Sequence, residues 1–508
     1  MENKKSIFKA TAVIFIFSLV AKVIGFIKSI IQASYFGATI YTDAFNVSNG
    51  FSSNILYMLS TAIAVAFVPI YIQRKNKDNS EKKFASVIIT VLSLISIAIS
   101  AILVTFAPLI VKVIAPSYTG EVLTVTVQFF RVLSLGFMFS LAVSLFSNLL
   151  NAEKIYGFSA ICSVINSVVL IGLILCLAKK IGVWALVIAV PISYFIQWCV
   201  LYIKGKKYAS ITFRYGLKDE GIKILLVQAL PVLFSQATVE INQVVDRALL
   251  TAVSAGALTA VTYASVLSEF VTSLVSTPVS TVMFTELSEA GAQNNNTRII
   301  TILKSCYKIF VLVCLPIISI IFLCATDIVS IVYNHGSFSG QAILDCAEGL
   351  KYYGICLLPV CIKSVLSKAY YAVNDTRRPM IIGVLEVITN ITLSVVLVKY
   401  FGIAGVVGAT AIASIIFIIV MLIDYNRKYL KVINIRFVIE QWKILVAIII
   451  SILIIYPLKS VVVGNYFFDL IIKTILCFSI YFGILFILKE DSILKIIESG
   501  IGIIKKRR

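Results

Sequence analysis

Charge is what this sequence has least of. Of its 508 residues only 13% are charged and 60% are hydrophobic, whereas a soluble domain keeps about 25% charged to solvate its surface. A chain so poor in charge exposes little of itself to water, which excludes a soluble enzyme or binding module. Acidic residues are scarcest, 24 against 44 Lys and Arg, for a net charge of +20. Histidine occurs once, His335 in an Asn-His-Gly-Ser stretch, too few for a histidine metal cluster. The ten cysteines (162, 176, 199, 306, 314, 324, 346, 356, 361, 477) stand singly in apolar runs with no Cys-x-x-Cys pair. That pattern suggests neither a zinc site nor a disulfide framework, and leaves small buried hydrophobes. Nor is a cleavable leader expected: the first apolar run, near Phe8 to Tyr35, is too long for one and no small-residue cleavage site follows it. No predicted loop exceeds about twenty residues, so a catalytic domain has no place to sit.

What the chain has instead is apolar runs of membrane length. A span needs about 20 mostly apolar residues. On that criterion about fourteen spans are expected, near 8–35, 44–72, 84–114, 122–149, 157–178, 182–203, 222–251, 257–285, 299–325, 343–372, 380–399, 403–424, 442–463 and 467–488. The fold class is therefore all-α and polytopic. Lys and Arg gather in cytoplasmic loops. With the N-terminus inside, the cytoplasmic connections hold Arg74, Lys75, Lys77, Lys82 and Lys83; Lys154; Lys204, Lys206, Lys207, Arg214 and Lys218; Arg298; Arg377 and Arg378; and Arg427, Lys428, Lys431 and Arg436. The tail adds Lys489, Lys495, Lys505, Lys506, Arg507 and Arg508, while the opposite side holds only Lys112, Lys179, Lys180, Lys351, Lys399 and Lys459. Both termini are therefore expected in the cytoplasm. This bias, with attraction to anionic membrane lipids, accounts for the positive charge without a nucleic-acid partner.

The chain also repeats. "NAEKIYGFSAICSVINSVVL…AKKIGVWALVIAVPIS" from Asn151 resembles "NDTRRPMIIGVLEVITNITL…VKYFGIAGVVGATAIAS" from Asn374. Each copy has a short basic loop, an Asn-bearing helix, a Lys-x-(Ile/Phe)-Gly turn and a small-residue helix. The spacing implies two parallel six-helix lobes, residues 1–205 and 206–430, with two further helices and a basic tail over 431–508. Duplicated lobes with a site between repeats are common transporter architecture.

Ionisable residues inside spans usually face a cavity or a partner. Lys22 and Lys28 flank Gly25 on the first span, about 120° apart on an ideal helix. The seventh carries a polar stripe, Gln236, Glu240, Gln243, Asp246 and Arg247, within about a third of its circumference. An inter-helix polar clamp is the plainer account of that stripe; a coupling site is the functional one. Further candidates are Asp43, Arg131, Glu269 and Lys363. Asp246, with Glu386 and Asn390 spaced i, i+4, offers oxygen ligands to Na⁺ or a proton relay. Pro191, Pro231, Pro278, Pro316 and Pro359 interrupt five spans and are expected to kink them. In the first lobe Lys22, Lys28 and Arg131 outweigh Asp43, which suits an anionic substrate such as a pyrophosphate head group. Its export runs down an inside-negative potential, which supplies a driving force with no cofactor.

The segment "AKVIGFIKSIIQASYFGATIYTDAFNVSN…AIAVAFVPIYIQ", Ala21 to Gln73, resembles the opening of the MviN/MurJ family of lipid II flippases, part of a superfamily of multidrug and polysaccharide exporters. The shared elements are the basic-x-x-Gly-Phe-x-basic run, the Phe-Gly-Ala turn, Thr42-Asp43-Ala44-Phe45 and Ala66-Phe67-Val68-Pro69. "SQATVEINQVVDRALL" is similar to the family's seventh helix. The resemblance implies a cationic cavity and a groove made by the last two helices for a polyprenyl tail. It implies alternating access that carries undecaprenyl-pyrophosphate-linked disaccharide-pentapeptide across the bacterial plasma membrane. Lys22 and Lys28 replace the family's usual arginines, keeping the charge but not the bidentate fork, and Asp43 matches its acidic residue. Ile55 and Leu56 stand where the family carries an Arg pair, and Ala264-Ser265-Val266-Leu267 where it carries Ala-Asp-Arg-Leu. The leading expectation is a monomeric lipid II flippase of peptidoglycan synthesis. A flippase for another polyprenyl-linked glycan comes next, ahead of a drug antiporter, a membrane glycosyltransferase and a non-transporting scaffold.

Overall fold

The computed structural model describes residues 2–77, 79–213, 219–293, 295–338, 340–373, 375–432, 437, 439–457 and 466–490. Arg214, Lys218, Arg436, Lys459, the end of the expected span 442–463 and the basic tail from residue 491 lie outside the described residues.

The regular structure described is helical throughout, as the apolar runs require where lipid offers no hydrogen bonds to a backbone. In chain order the helices are α1 Glu2–Phe36, α2 Ile40–Lys77, α3 Glu81–Thr105, α4 Ala107–Ile114, α5 Gly120–Ala152, α6 Tyr156–Ile181 and α7 Trp184–Gly205. They continue with α8 Glu220–Thr251, α9 Ala257–Ala292, α10 Asn296–Tyr333, α11 Gln341–Ala372, α12 Arg377–Lys428, α13 Trp442–Ile455 and α14 Tyr466–Ile487. The expected span 84–114 is broken at Phe106 into α3 and α4, with Pro108 in the first turn of α4, where its missing N–H costs nothing. α8 bends by 40° between Phe234 and Gln236, beyond Pro231 rather than in the turn before it.

α12 is 52 residues long, about 78 Å if straight, far more than a bilayer core of about 30 Å. Yet Arg378 and Asp424, 46 residues apart, form an ion pair, and a straight helix would separate them by about 69 Å. Asn390 Nδ2 donates to Thr410 Oγ1 at 2.9 Å across 20 residues. α12 therefore doubles back into two antiparallel arms, which match the expected spans 380–399 and 403–424. The fold point is Gly402, at φ 54° and ψ −125°, a conformation open essentially to glycine alone. The α6–α7 hairpin turns at Gly182 with φ 56° and ψ −137°, so the repeated Lys-x-(Ile/Phe)-Gly motif makes the same turn in both copies. Each repeat also carries an Asn joining its two helices: Asn166 donates to Ser193 Oγ at 3.1 Å, as Asn390 does to Thr410.

Among the described residues 11 helices are long and apolar enough to cross a membrane, or 12 with the bent α8. α12 enters that figure once despite its two arms, and α13 spans 14 described residues.

The contacts form two compact units, Met1–Tyr263 with His335–Ala342, and Ala264–Asn334 with Ile343–Arg508. In the first, α5 packs against α2, α3 and α7 through Phe129, Phe130 and Phe146, all at most 1% exposed. Serines let α3 and α5 approach closely: Ser100 Oγ donates to the Ser134 carbonyl at 2.7 Å and Ser96 Oγ to that of Met138 at 3.0 Å, the small-residue packing that membrane helices favour. In the second, Phe310, Cys314, Leu357, Cys361, Tyr370 and Tyr425 form a buried core. There α13 and α14 pair and lie on α10, tied by the Tyr481 hydroxyl to the Leu312 carbonyl at 3.1 Å. All ten cysteines are free thiols and eight are buried.

Candidate functional site

The first unit carries cations on helices of membrane length. Lys22 is exposed and Lys28 partly so on α1, and neither has an ion pair or hydrogen bond among the described residues. A methyl group built on Gly25 between them would meet nothing within 4 Å, so this face of α1 borders open space. On α5, Glu121, Thr124, Gln128 and Arg131 are exposed at spacings of three and four, which is one helix face. A polar stripe ending in arginine belongs in water rather than lipid. The two helices thus leave ammonium and guanidinium groups wholly or partly accessible to an anion, which would meet them through charge-assisted contacts.

On α8 the expected polar stripe is half-buried and works partly as a clamp. Gln243 Oε1 accepts from Asn54 Nδ2 of α2 and from Arg247 Nη2, both at 3.0 Å. Asp246 takes Asn242 Nδ2 at 3.2 Å. Arg247 lies across α2 at Gly50: a Cβ there would stand 2.5 Å from the guanidinium carbon, so a side chain at this position would push the guanidinium off its seat.

Asp43 was expected beside the substrate, and the structure gives it a different position. It is 1% exposed. Its Oδ2 accepts the Gly256 amide at 2.6 Å, and its Oδ1 accepts the Thr259 amide at 2.8 Å and the Thr259 hydroxyl at 2.6 Å. Asn46 Nδ2 adds a bond to the same hydroxyl at 2.9 Å. Asp43 therefore clasps the start of α9 to α2, with its negative charge on the positive end of the α9 dipole. Beside it the Ser337 amide donates to the Ser34 carbonyl at 2.8 Å, which fastens the chain before α11 to the end of α1.

In the second unit Lys363 of α11 forms an ion pair with Glu386 of α12. The Asn390 carboxamide bonds Thr410 and accepts from Ser394 Oγ at 3.2 Å. The oxygens expected to offer a Na⁺ site with Asp246 are thus engaged by an ammonium and by hydroxyls. Glu269 is exposed on α9. A second buried charge group lies between α10 and α14: Lys473, 3% exposed, is 2.5 Å from Asp469 and 3.4 Å from Asp327. Its i, i+4 carboxylate on α14 was a local signal in the sequence; Asp327, 146 residues away, was not.

Beyond the chain itself, a family model described as lipid II flippase MurJ matches residues 32–476. The lipid II flippase MurJ of Burkholderia cenocepacia is 26% identical over 414 residues, 79% of this chain and 80% of that protein. A probable lipid II flippase MurJ of Treponema pallidum is 25% identical over 433 residues, 82% of this chain and 81% of its own. Among solved structures, a lipid II flippase MurJ in an inward closed conformation gives a TM-score of 0.82 over 95% of this chain and 100% of that one, at 23% identity. An inward-facing multidrug resistance MATE transporter of the MOP superfamily gives 0.64 over 81% of this chain and 98% of that one, at 16% identity. At such identities the structural likenesses show a shared fold. The match over residues 32–476 takes in most of the sequence, and the chain belongs to the MurJ family of lipid II flippases.

Proposed function

We propose that this protein carries lipid II, the undecaprenyl-pyrophosphate-linked peptidoglycan precursor, from the inner to the outer leaflet of a bacterial plasma membrane. The role is transport, not covalent catalysis. The observation that carries the reading is the set of cations on membrane helices of the first unit, Lys22 exposed and Lys28 half-buried on α1, and Arg131 exposed on α5. A pyrophosphate makes charge-assisted contacts with such groups, and they recover no hydration energy from the protein while they wait. Arg247, seated over Gly50, is a further cation of the first unit, and Glu269 and Lys363 are the candidate charges of the second.

Alternating access needs joints that part. Asp43 is not such a joint: it and its donors Gly256 and Thr259 share one packing unit, so we assign it to fixing the start of α9 on α2. The lobes that move are those of the repeat, residues 1–205 and 206–430, with the arms of α12 as two crossings and both termini cytoplasmic. A single chain is the transporting unit.

For the driving force we favour the membrane potential, worth about 2.3 kcal/mol per charge per 100 mV. Lys363 already supplies Glu386 with a positive charge, which leaves a sodium ion little to neutralise there. One observation favours a second cargo: Ile55, Leu56 and Val266 are apolar where the family resemblance puts arginines. Another polyprenyl-linked glycan, from capsule or O-antigen assembly, would suit a less cationic site. The test is the appearance of lipid II in the outer leaflet of cells whose own flippase is depleted. Lys28→Ala should abolish it while leaving membrane insertion intact, and wild-type flux in that variant would overturn the assignment of the cations.

A further inference from the structure

The open end of the α12 hairpin carries an arrangement the transport reading does not use. Asp375, Arg377, Arg378, Ile381, Asp424 and Lys428 line an open cavity of about 420 Å³, within the range of about 300–1,000 Å³ that holds small ligands. Its two carboxylates are already engaged. Asp375 accepts the amides of Arg377 and Arg378 at 3.0 and 3.1 Å and the Tyr429 hydroxyl. Asp424 accepts the Arg378 guanidinium, and the Tyr370 hydroxyl at 2.9 Å. Arg378 bridges both acids, its Nε 3.7 Å from Asp375.

What remains facing the cavity is cationic. The Arg377 guanidinium has no hydrogen bond or ion pair among the described residues, and Lys428, 45% exposed, stands 3.9 Å from Asp375. Arg377 also heads a stripe. Ile381, Leu385 and Ile388 follow it at helical spacing and are 44%, 47% and 55% exposed. A cation at the boundary with exposed apolar side chains running away from it matches an amphiphile, anionic head at one end and chain along the arm. Basic pockets between membrane helices bind anionic head groups in this way.

We propose that this cavity binds the phosphate-ester head of a membrane amphiphile, with Arg377 and Lys428 gripping the phosphate and Arg378 fixing the walls through Asp375 and Asp424. The head belongs either to a bilayer lipid or to the pyrophosphate end of the cargo awaiting transport; the second source rests on the flippase reading above.

The test uses the full chain in phosphatidylcholine nanodiscs and two probes, fluorescent phosphatidylglycerol and farnesyl pyrophosphate. The variant Arg377→Ala/Lys428→Ala should bind a probe about tenfold more weakly, as loss of charge-assisted bonds predicts, while Arg377→Lys stays near wild type and salt weakens wild-type binding. Loss for farnesyl pyrophosphate alone makes the cargo the ligand, and loss for phosphatidylglycerol alone makes it a bilayer lipid. Unchanged binding of both probes by a folded double variant overturns the site. If the wild-type chain binds its probe here but brings no lipid II to the outer leaflet, the site stands and the flippase reading falls.

Discussion

Gly402 is the residue on which the second repeat turns, and Gly182 its counterpart in the first. Both hold φ near 55° with ψ beyond −120°, and a Cβ in that region costs about 1–3 kcal/mol. Gly402→Ala and Gly182→Ala should therefore each lower the thermal unfolding midpoint in detergent by a similar amount. Gly25→Ala, where a methyl meets open space, should stay within about 0.5 kcal/mol of wild type; equal behaviour of all three would refute the turn assignment. Asp375 gives a pH prediction. The Tyr429 hydroxyl, then the Arg378 amide, hold its carboxyl below the ordinary carboxylate range. A carboxyl depressed on folding stabilises above its unfolded pKa of about 3.9 and loses that contribution as pH falls through the folded value. Tyr429, pushed up to about 12 by burial and by Asp375, keeps its contribution below the unfolded pKa of about 10 and loses it as pH rises toward 12. Thermal melts of wild type and Asp375→Asn should thus differ by a constant from about pH 5 to 9 and converge at both extremes. A difference that instead grew through the neutral range would contradict the assignment. At this scale the membrane cations are legible in the sequence and the partners of Asp43 are not. Lys22, Lys28 and Arg131 stand out because their neighbours in sequence are apolar. The partners of Asp43 lie 213 and 216 residues away, and no local pattern points to them.

α11 and the first arm of α12 meet through Lys363 and Glu386, and removal of either partner leaves a charge at membrane depth without its counterion. Lys363→Ala and Glu386→Ala should each destabilise the protein more than the double variant Lys363→Ala/Glu386→Ala does, a coupling that a double-mutant cycle in thermal stability reads directly. Additive losses would mean the pair is incidental. If the ammonium serves where a sodium ion otherwise would, transport by wild type should be indifferent to a sodium gradient, and Lys363→Ala is the variant in which a dependence would emerge. Most helices were legible in outline because a run of about 20 apolar residues has few other uses. The turn in α12 was legible in the repeated Lys-x-(Ile/Phe)-Gly motif, since such a turn admits little but glycine. The break at Phe106 lies inside a continuous apolar run and is marked in the sequence only by Pro108. Helical spacing pairs Glu386 with Asn390 on one face but says nothing of Lys363 on the neighbouring helix.

For the molecule as a whole, the family, the all-helical fold and the abundance of membrane spans followed from composition, periodicity and the α1–α2 motif. The packing division at Tyr263 and Ala264 within α9 had no sequence mark, because a helix that serves two units reads as one apolar run. In the proposed function, the cations of α1 and α5 let this chain move a pyrophosphate-linked lipid to the outer leaflet. The most direct test is to express the chain in a bacterium depleted of its own lipid II flippase and to measure lipid II exposed on the outer leaflet. The account predicts restored outer-leaflet lipid II with wild type and none with Lys28→Ala at equal membrane abundance. Wild-type protein present in the membrane with lipid II still confined to the inner leaflet would contradict it.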